Sequence, residues 1–344
     1  MPDAARQWPH GRELHRGRPR TEVMPRLGAS DLDVCPLALG TNGFGWTASP
    51  ATSREILDEF VAGRGNVIDT ADTYSYWVAG NSGGEAEAIL GDWLAARGKR
   101  RDVVVATKVS GLPAYAGLRA ANIAAAVEQS LRRLQTNYID VYYAHYDDPD
   151  TPLEESVGAF DALVKRGVVR YIGLSNYRAE RAQAWIDVAI RTGATLPVSI
   201  QPHYNLLVRE PFEGTLRPFA VEHSLGVVPY FGLAAGFLTG KYRSPADADG
   251  VARSSMVADY LTDAGFAVVR ELDAIASEHD VQPGTVALAW LRAQPTIVAP
   301  IAGASAPEQV APLLASATLE LSDEELAQLT RASDAYAGAT ATKA

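Results

Sequence analysis

The sequence predicts one (β/α)8 barrel, a TIM barrel of the α/β class. Short β-rich apolar runs alternate eight times with amphipathic helical stretches, and the runs are nearly continuous in apolar residues. Such runs are typical of strands buried on both faces of a parallel sheet, and eight parallel units close into a barrel. No low-complexity linker follows residue 25. We therefore predict a single domain over residues 25–344.

The predicted strands and helices follow each other in strict order. The strand segments are 37–40, 66–69, 103–108, 138–145, 171–175, 197–201, 226–230 and 296–301. The helical segments are 53–64, 84–97, 119–134, 153–166, 179–192, 215–225, 265–280 and 307–315. A doubly wound sheet is the second choice, because GTNGFG at 40–45 has the wrong glycine spacing for a dinucleotide-binding G-x-G-x-x-G turn.

Three segments lie outside these units. Residues 26–40 place apolar side chains around a turn, which predicts an N-terminal hairpin at the barrel floor. Ser322 followed by Glu325 is a capping-box pattern and predicts the start of an extra C-terminal helix. The polar connection at 242–265 suits either a mobile binding loop or a surface insertion.

Composition narrows the class of partner. The formal charge of −10 disfavours nucleic acid, and no run reaches the roughly 18 apolar residues of a membrane span. The single cysteine, Cys35, cannot form an internal disulfide, which predicts a reducing compartment, most simply the cytoplasm. Residues 1–24 are rich in arginine without an apolar core, which predicts a disordered basic extension, with a basic recruitment tail as the alternative. The oligomeric state stays open.

Four polar residues stand at or just beyond three successive predicted strands. Asp69 ends the second strand in NVIDTADTYS and Tyr74 follows it, Lys108 ends VVVATK, and His145 ends YIDVYYAH. Active sites of such barrels lie at the carboxyl ends of the strands. We therefore expect these four side chains to converge.

These residue types suit the reduction of a carbonyl group. An ammonium such as Lys108 favours a phenolate, so we expect it to lower the pKa of Tyr74, while Asp69 keeps the lysine charged. His145 can donate a hydrogen bond to a carbonyl oxygen or relay a proton. Taken singly, the lysine and aspartate could be a structural ion pair and the histidine a core residue.

A barrel hydrolase is an alternative class of enzyme, and it would need paired catalytic acids or metal ligands at the strand ends. Asp147, Asp148 and Asp150 follow the fourth strand, but His145 is the only other metal-binding residue type beside them. We therefore predict no metal site.

The chain resembles the aldo-keto reductases from about Arg26 to about Ala335. The resemblance rests on LGTNGFG, VIDTADTYS, GGEAEAILGDWL, ATKVS, YIDVYYAHYDD, IGLSNY, IQPHYNLL, VVPYFGLAAGFLTGKY and IAGASAPEQV, in that order. It implies a (β/α)8 barrel that reduces aldehydes, ketones or keto-sugars with NAD(P)H, without metal or flavin. The family's catalytic tetrad falls on Asp69, Tyr74, Lys108 and His145.

The resemblance also implies the residues that bind the cofactor. Ser175, Asn176 and Gln201 match the ligands of the nicotinamide amide, and Tyr230 matches the residue stacked on its ring. The remaining matches are Gly40, Thr41, Asn42, Asp69, Phe231, Gly232, Leu233, Ala234, Gly236, Lys241, Gly303, Ala304, Ser305 and Gln309. Phe231 stands where the family often has serine. Trp46 and Trp77 lie on loops where they line a substrate pocket or pack at the surface.

The resemblance leaves two further points open. The segment 303–314 contains no lysine or arginine, so we predict NADPH as cofactor with NADH also accepted, unless Arg178 or Arg253 reaches the site from a loop. The same branch resembles the potassium-channel beta subunits, barrels that sense cofactor while bound to a membrane protein. Those subunits commonly lack a histidine at the position of His145, which favours an enzyme here.

Overall fold

Eight parallel strands form one sheet that closes on itself. The computed structural model describes residues 24–341, and its strands pair in the order β7-β6-β5-β4-β3-β2-β1-β8. The last gap closes through backbone hydrogen bonds from Val227 N to Thr296 O at 3.1 Å and from Val298 N to Val227 O at 2.9 Å. This confirms the predicted (β/α)8 barrel. The predicted basic extension at 1–24 lies almost wholly outside the described residues.

The eight strands and the helices that follow them alternate along the chain as the sequence predicts, and further helices lie between them. The strands are β1 Ala38–Gly40, β2 Val67–Asp69, β3 Val104–Val109, β4 Ile139–Ala144, β5 Val169–Ser175, β6 Pro197–Gln201, β7 Gly226–Val227 and β8 Ile301–Ala302. The helices are α1 Pro50–Ala62, α2 Glu85–Arg97, α3 Ala120–Arg133, α4 Leu153–Lys165, α5 Ala179–Thr192, α6 Arg217–Glu222, α7 Ser254–Val257, α8 Asp263–Glu278, α9 Pro283–Arg292, α10 Val310–Ala315 and α11 Asp323–Ala341.

The outer helices bury one face each against the sheet. In α3, the buried residues are Ile123, Ala126, Val127, Ser130 and Leu131. These positions recur at intervals of three and four, so they share one face of a helix. The helix–sheet layer forms the larger of two apolar clusters among the described residues.

The structure corrects the predicted elements in two places. Strands β7 and β8 are shorter than predicted, and β8 begins only at Ile301, because Pro229 and Pro300 have no N–H to add to a ladder. Helix α9 was not predicted at all. Its residues Gly284–Leu291 are all buried, so the segment has no polar face to give a helical period.

The N-terminal hairpin closes the floor of the barrel, as predicted. Leu27 N donates to Leu32 O at 3.0 Å across its turn, and both side chains join the inner apolar cluster of the barrel. Gly28 has a φ of 54°, and a Cβ there would lie 2.1 Å from the carbonyl oxygen of Val198 at the start of β6. Only glycine allows this close approach.

The C-terminal helix α11 begins at the predicted capping box. Glu325 N donates to Ser322 Oγ at 3.3 Å, and Ser322 N donates to Glu325 Oε2 at 2.6 Å. Trp290 of α9 donates through Nε1 to Thr330 Oγ1 at 3.2 Å, which fastens α11 to the barrel. Across residues 24–341, no helix combines the length and apolar character that a bilayer span demands.

Candidate active site

The four residues predicted for catalysis converge at the carboxyl end of the barrel. Asp69 is the last residue of β2, Lys108 lies one residue before the end of β3, and His145 follows β4 directly. Tyr74 lies on the loop after β2. Parallel strands bring their carboxyl ends to the same rim, which is why positions far apart in the chain meet here.

Lys108 lies at the centre of the site and is fully buried. Its ammonium donates to Asp69 Oδ2 at 2.7 Å, to the carbonyl oxygen of Thr70 at 2.7 Å and to the Tyr74 hydroxyl at 2.9 Å. An ammonium has three protons, so all three are used. The Tyr74 hydroxyl in turn donates to Asp69 Oδ2 at 3.1 Å.

Residues at the ends of several strands form hydrogen bonds with Asp69. Gln201 at the end of β6 donates through Nε2 to the second carboxylate oxygen, Oδ1, at 2.9 Å. The backbone carbonyl of Asp69 accepts from Thr41 N at 2.9 Å. With Lys108 on the first oxygen, the carboxylate is fixed by contacts from β3 and β6, so its charge is positioned before any substrate arrives.

The ring of His145 lies at the same site, and its Nδ1 makes no hydrogen bond to the described residues. The ring centroid lies 6.3 Å from that of Tyr74, at an interplanar angle of 75°, and the Nδ1 atom is buried. Burial and the nearby Lys108 ammonium hold the pKa of His145 well below its usual range. The imidazole is therefore neutral at neutral pH and keeps one N–H to donate.

Comparison with known proteins decides the family of this barrel. The Aldo/keto reductase family model matches residues 36–334. The chain belongs to the aldo/keto reductase family. It is 32% identical over 339 residues to "Protein tas" of Escherichia coli (strain K12), covering 90% of this chain and 97% of that one.

Other relatives carry two kinds of name. The chain is 34% identical over 316 residues to "Uncharacterized oxidoreductase YrpG" of Bacillus subtilis (strain 168), covering 88% of this chain and 93% of that one. It is 33% identical over 300 residues to "Probable voltage-gated potassium channel subunit beta" of Oryza sativa subsp. japonica, covering 83% and 88%. The family is thus fixed, while the names of its members span an oxidoreductase and a channel subunit.

The pKa of the Tyr74 phenol differs from the predicted one. We expected Lys108 to lower its pKa. Burial, and the Asp69 carboxylate that accepts its proton in a hydrogen bond, instead hold the pKa of Tyr74 well above its usual value. The phenol is therefore protonated at neutral pH, which is the form a proton donor needs.

Asp72 is a buried acid for which the sequence suggested no role. It is fully buried between Asp69 and Tyr74, and neither of its carboxyl oxygens has a hydrogen-bond partner among the described residues. The pKa of Asp72 is raised to about 8, chiefly because the carboxyl group is buried and secondarily because the Glu87 carboxylate lies nearby. The positive charges of Arg133 and Lys108 act in the opposite direction. Glu87 itself is satisfied, because Arg133 Nε donates to it at 2.7 Å.

The residues matched to the nicotinamide site form one hydrogen-bonded group. Ser175 Oγ donates to the carbonyl oxygen of Gln201 at 3.1 Å, and Asn176 Nδ2 donates to that of His145 at 2.9 Å. The Tyr230 hydroxyl donates to Asn176 Oδ1 at 2.7 Å. The ends of β5 and β6 therefore present amide groups beside a phenol ring, which suits an aromatic carboxamide.

Tyr230 has a ring neighbour that the sequence did not reveal. His203 stacks on Tyr230 with centroids 5.3 Å apart and an interplanar angle of 19°. The two residues are joined by an isolated parallel β-bridge beyond the ends of β6 and β7, which no local sequence pattern could show.

The segment matched to the cofactor's diphosphate has a strained backbone. Phe231, Ala234 and Ala235 have φ values of 54°, 48° and 56°, and Gly236 follows with 97°. Left-handed conformations are costly for residues other than glycine and concentrate at functional sites. Gly232 and Leu233 complete this turn. A Cβ on Gly236 would lie 3.0 Å from Lys241 Nζ, so the lysine lies over the same turn.

The ends of β1 and β8 meet beside this turn. A Cβ on Gly303 would lie 3.0 Å from the carbonyl oxygen of Gly40 and 3.5 Å from Asn42 Oδ1. Thr41 Oγ1 donates to the carbonyl oxygen of Asp69 at 3.0 Å, which ties this rim to the tetrad. Ala304 is buried next to Ser305. Glycine at position 303 therefore allows the segment after β8 to approach the end of β1 closely.

Gln309 engages both hydrogen-bond donors of Ser305, just after β8. Its Oε1 accepts from Ser305 N at 2.8 Å and lies 3.3 Å from Ser305 Oγ. Ser305 is one of the residues that the resemblance matched to the cofactor site. The structure thus shows two dipolar donors that are already engaged, and the segment 303–314 contains no lysine or arginine.

Aromatic side chains surround the entrance to the site. Trp46 meets Trp77 edge to face with centroids 5.5 Å apart, and Tyr146 stacks on His145 at 4.4 Å. Trp77 is 46% exposed and Tyr146 is 48% exposed. Large apolar surface left open beside a buried polar site is typical of a small-molecule pocket.

The acidic residues after β4 have structural partners. Arg181 Nε donates to Asp147 Oδ1 at 2.9 Å, and Asp148 Oδ2 accepts from Leu118 N at 2.7 Å. In the part of the chain that the structure describes, no group of three or more His, Cys, Asp and Glu side chains is arranged to hold a metal ion.

Proposed function

We propose that this chain is an NAD(P)H-dependent reductase that converts the carbonyl group of an aldehyde, ketone or keto-sugar to an alcohol. One observation carries the proposal. A protonated phenol, Tyr74, lies 2.9 Å from a buried ammonium, Lys108, on a rim of the barrel that also holds a neutral histidine. Membership of the aldo/keto reductase family supports an oxidoreductase.

A bound reduced nicotinamide dinucleotide supplies the hydride. The site fits such a group, because Ser175, Asn176 and Gln201 offer amide and hydroxyl contacts beside Tyr230, and the strained turn 231–236 with Lys241 suits a diphosphate.

The side chains of the tetrad complete the reaction at the carbonyl oxygen. Tyr74 gives its proton to that oxygen as hydride reaches the carbon, so one C–H and one O–H bond form and the C=O double bond becomes single. Lys108 stabilises the resulting phenolate through its 2.9 Å contact, and Asp69 holds Lys108 charged. His145 donates a hydrogen bond that orients the substrate oxygen.

The second candidate is a cofactor-sensing subunit with little catalysis. The relative from Oryza sativa that is named as a potassium channel subunit beta favours it. The presence of His145, whose ring is neutral and whose Nδ1 has no hydrogen-bond partner among the described residues, favours the enzyme. We further propose that the protein acts in a reducing compartment such as the cytoplasm, because its single cysteine, Cys35, is buried.

Cofactor oxidation measured against a panel of carbonyl compounds tests the proposal. Purified protein is mixed with NADPH or NADH and with aldehydes, ketones and keto-sugars, and the loss of reduced nicotinamide is followed by absorbance. We expect turnover with at least one class of carbonyl compound. Tight cofactor binding without turnover on any of them would favour the sensing subunit instead.

A further inference from the structure

A groove lies at the amino ends of β3 and β4, at the end of the barrel away from the tetrad. Its volume is about 590 Å³. One wall precedes β3 and the other, residues 135–138, precedes β4, whereas the tetrad lies at or beyond the carboxyl ends of the strands. Three of the lining residues are Arg100, Arg101 and Arg132, and no described aspartate or glutamate lines the groove. The groove is therefore basic, although the chain has a formal charge of −10.

Arg100 gives the groove a fixed wall. Its guanidinium donates to Thr136 Oγ1 at 3.2 Å, to the carbonyl oxygens of Val103 and Tyr138 at 3.0 and 3.1 Å, and to Asp140 Oδ2 at 2.7 Å. These contacts join the segment before β3 to the segment before β4. Because Asp140 balances its charge, Arg100 contributes to the shape of the groove rather than to its net charge.

The other two arginines of the groove have no counter-ion within the described part of the chain. Arg101 and Arg132 are exposed, and no hydrogen bond or ion pair joins either side chain to a described residue. Asp102, the acid next to Arg101 in the sequence, is paired with Arg97 at 3.5 Å. Two guanidinium groups are thus free to bind an anion in the same groove.

The absence of a partner for Arg132 is unusual among the helix ends of this barrel. A cation in the last turn of a helix interacts favourably with the helix dipole, which accounts for an arginine at this position. In the last turns of α2, α3, α4, α5 and α9, each other lysine or arginine also has a carboxylate partner among the described residues, and these are Arg97, Arg133, Lys165, Arg191 and Arg292. The dipole alone therefore does not explain why Arg132 is left unpaired.

Neutral groups complete the groove. The Arg100 guanidinium stacks on the Tyr138 ring at 4.2 Å from its centroid, and the buried side chains of Leu94 and Leu131 add apolar surface. The exposed amide of Asn137 makes no hydrogen bond to a described residue. The groove therefore combines apolar surface with a few polar groups, the usual composition of a small-molecule site.

We propose that this groove binds a small molecule that carries a phosphate or polyphosphate group, with Arg101 and Arg132 as the residues that bind the phosphate oxygens. The planar guanidinium group matches phosphate oxygens in geometry and in charge. The groove shares no residue with the tetrad or with the residues matched to the cofactor. The proposal is therefore independent of the proposed reductase activity.

The size of the groove favours a small molecule over an acidic protein. Small-molecule sites have volumes of about 300 to 1,000 Å³, whereas a specific protein interface covers about 800 Å² of each partner. A free polyphosphate and a phosphate ester share the group that the arginines would bind. They differ in the organic part, which only the ester could place against Leu94 and Leu131.

Calorimetric titrations with simple phosphates test the site. Dissociation constants are measured for inorganic phosphate, pyrophosphate and phenyl phosphate, with phenol and a polyglutamate peptide as comparison ligands. The proteins are the unmodified chain, Arg101→Gln, Arg132→Gln and the double variant. Arg270→Gln is the matched control, because Arg270 is an exposed arginine of α8 without an ion pair to a described residue. Lys241→Met reports any binding of phosphate at the strained turn 231–236 instead.

We expect the phosphates to bind and phenol not to bind. Each single variant should weaken phosphate binding about 10-fold, the lower end of the range for a charge-assisted contact, and the double variant should weaken it further. Arg270→Gln and Lys241→Met should change it by less than about 2-fold, less than one such contact. Tighter binding of phenyl phosphate than of inorganic phosphate assigns a phosphate ester, and tighter binding of pyrophosphate than of both assigns a polyphosphate.

Four results would overturn the proposal, and each leaves the proposed reductase activity untouched. The first is the absence of saturable binding of all three phosphates up to about 1 mM. The second is binding that Lys241→Met weakens and the double variant does not. The third is binding of polyglutamate without binding of phosphates, which would indicate an acidic protein as partner. The fourth is a lower melting temperature of the double variant with unchanged phosphate affinity, which would mean that the arginines only stabilise the fold.

Discussion

The ammonium of Lys108 lies 2.7 Å from Asp69 Oδ2, and both side chains are buried. An ion pair taken out of water is stabilising only if the remaining groups are satisfied. Here Thr70 and Tyr74 complete the partners of the lysine, and Gln201 completes those of the aspartate. The pair therefore fixes the position of the ammonium charge beside the Tyr74 hydroxyl.

Replacing Tyr74 by phenylalanine removes the proposed proton donor. The ring stays available to Lys108, whose Nζ lies 4.7 Å from its centroid. We expect Tyr74→Phe to lower kcat by at least about 10²-fold, the usual effect of losing a general acid, with little change in cofactor affinity. Steady-state kinetics and cofactor titration measure the two quantities. Retained turnover would exclude Tyr74 as the acid.

Asp69 and Lys108 should act as one unit. Asp69→Asn and Lys108→Met each leave an unpaired buried charge, so each alone should lower stability by about 3 to 5 kcal/mol. The double variant should be less destabilised than the sum, and its loss in log kcat should also be less than additive. Denaturant unfolding and kinetics of the three variants check this. Additive losses in both would contradict a shared network.

Replacing His145 should distinguish the proposed reductase from a cofactor-sensing subunit. If His145 orients the substrate oxygen, His145→Ala should lower kcat/KM by about 10²-fold, the scale of one lost oxyanion contact, and leave the cofactor dissociation constant unchanged. Since burial holds its pKa well below the usual range, kcat/KM should not fall as pH drops through about 6.5, the ordinary histidine value. A loss centred near that pH would mean that the ring is accessible and charged.

The preference of the protein for NADPH over NADH should be weak. No basic side chain lies in 303–314, and Gln309 already accepts from Ser305. We expect NADPH to be used with less than about 10³-fold preference over NADH, and Gln309→Arg to raise that preference about 10- to 100-fold by adding a charge-assisted contact. The ratio of kcat/KM for the two cofactors is the measurement. A larger preference in the unmodified protein would show that a basic residue of another segment binds the 2′-phosphate. Arg253 is the first candidate to test.

Asp72 should make the protein less stable as pH rises. Its pKa in the folded state is raised to about 8, above its unfolded value of 3.8, so between these values the folded state holds a proton that the unfolded state has lost. Stability then falls by up to about 1.4 kcal/mol per pH unit. The charged or titratable groups facing Asp72 are Glu87, Arg133, Lys108, Tyr142 and Tyr146.

Asp72→Asn tests this dependence on pH. Between pH 5 and pH 7, the free energy of unfolding of the variant should fall by about 2 to 3 kcal/mol less than that of the unmodified protein. This difference corresponds to about 1.4 kcal/mol per pH unit over two units. Asp249→Asn is the control, because Asp249 is exposed and has no side-chain partner. Denaturant unfolding at the two pH values measures the difference. Parallel curves for Asp72→Asn and the unmodified protein would show that Asp72 is ionised in the folded state.

The sequence by itself determined the barrel and the positions of its chemistry. Alternation of apolar runs and amphipathic helices is a local property, and the carboxyl ends of parallel strands share one rim, so Asp69, Lys108 and His145 could be predicted to converge. The capping box at Ser322 was equally local.

Only the tertiary structure decided the features that depend on distant neighbours. Helix α9 is buried on all sides and shows no period, and the start of β8 depends on where the ring closes. The acidity of Tyr74 was predicted in the wrong direction, because burial outweighs a nearby cation when a carboxylate also accepts the proton. Arg253 reaches Trp46 across about 200 residues of chain, and such a contact is set by the path of a loop over the folded barrel rather than by any pattern along the sequence.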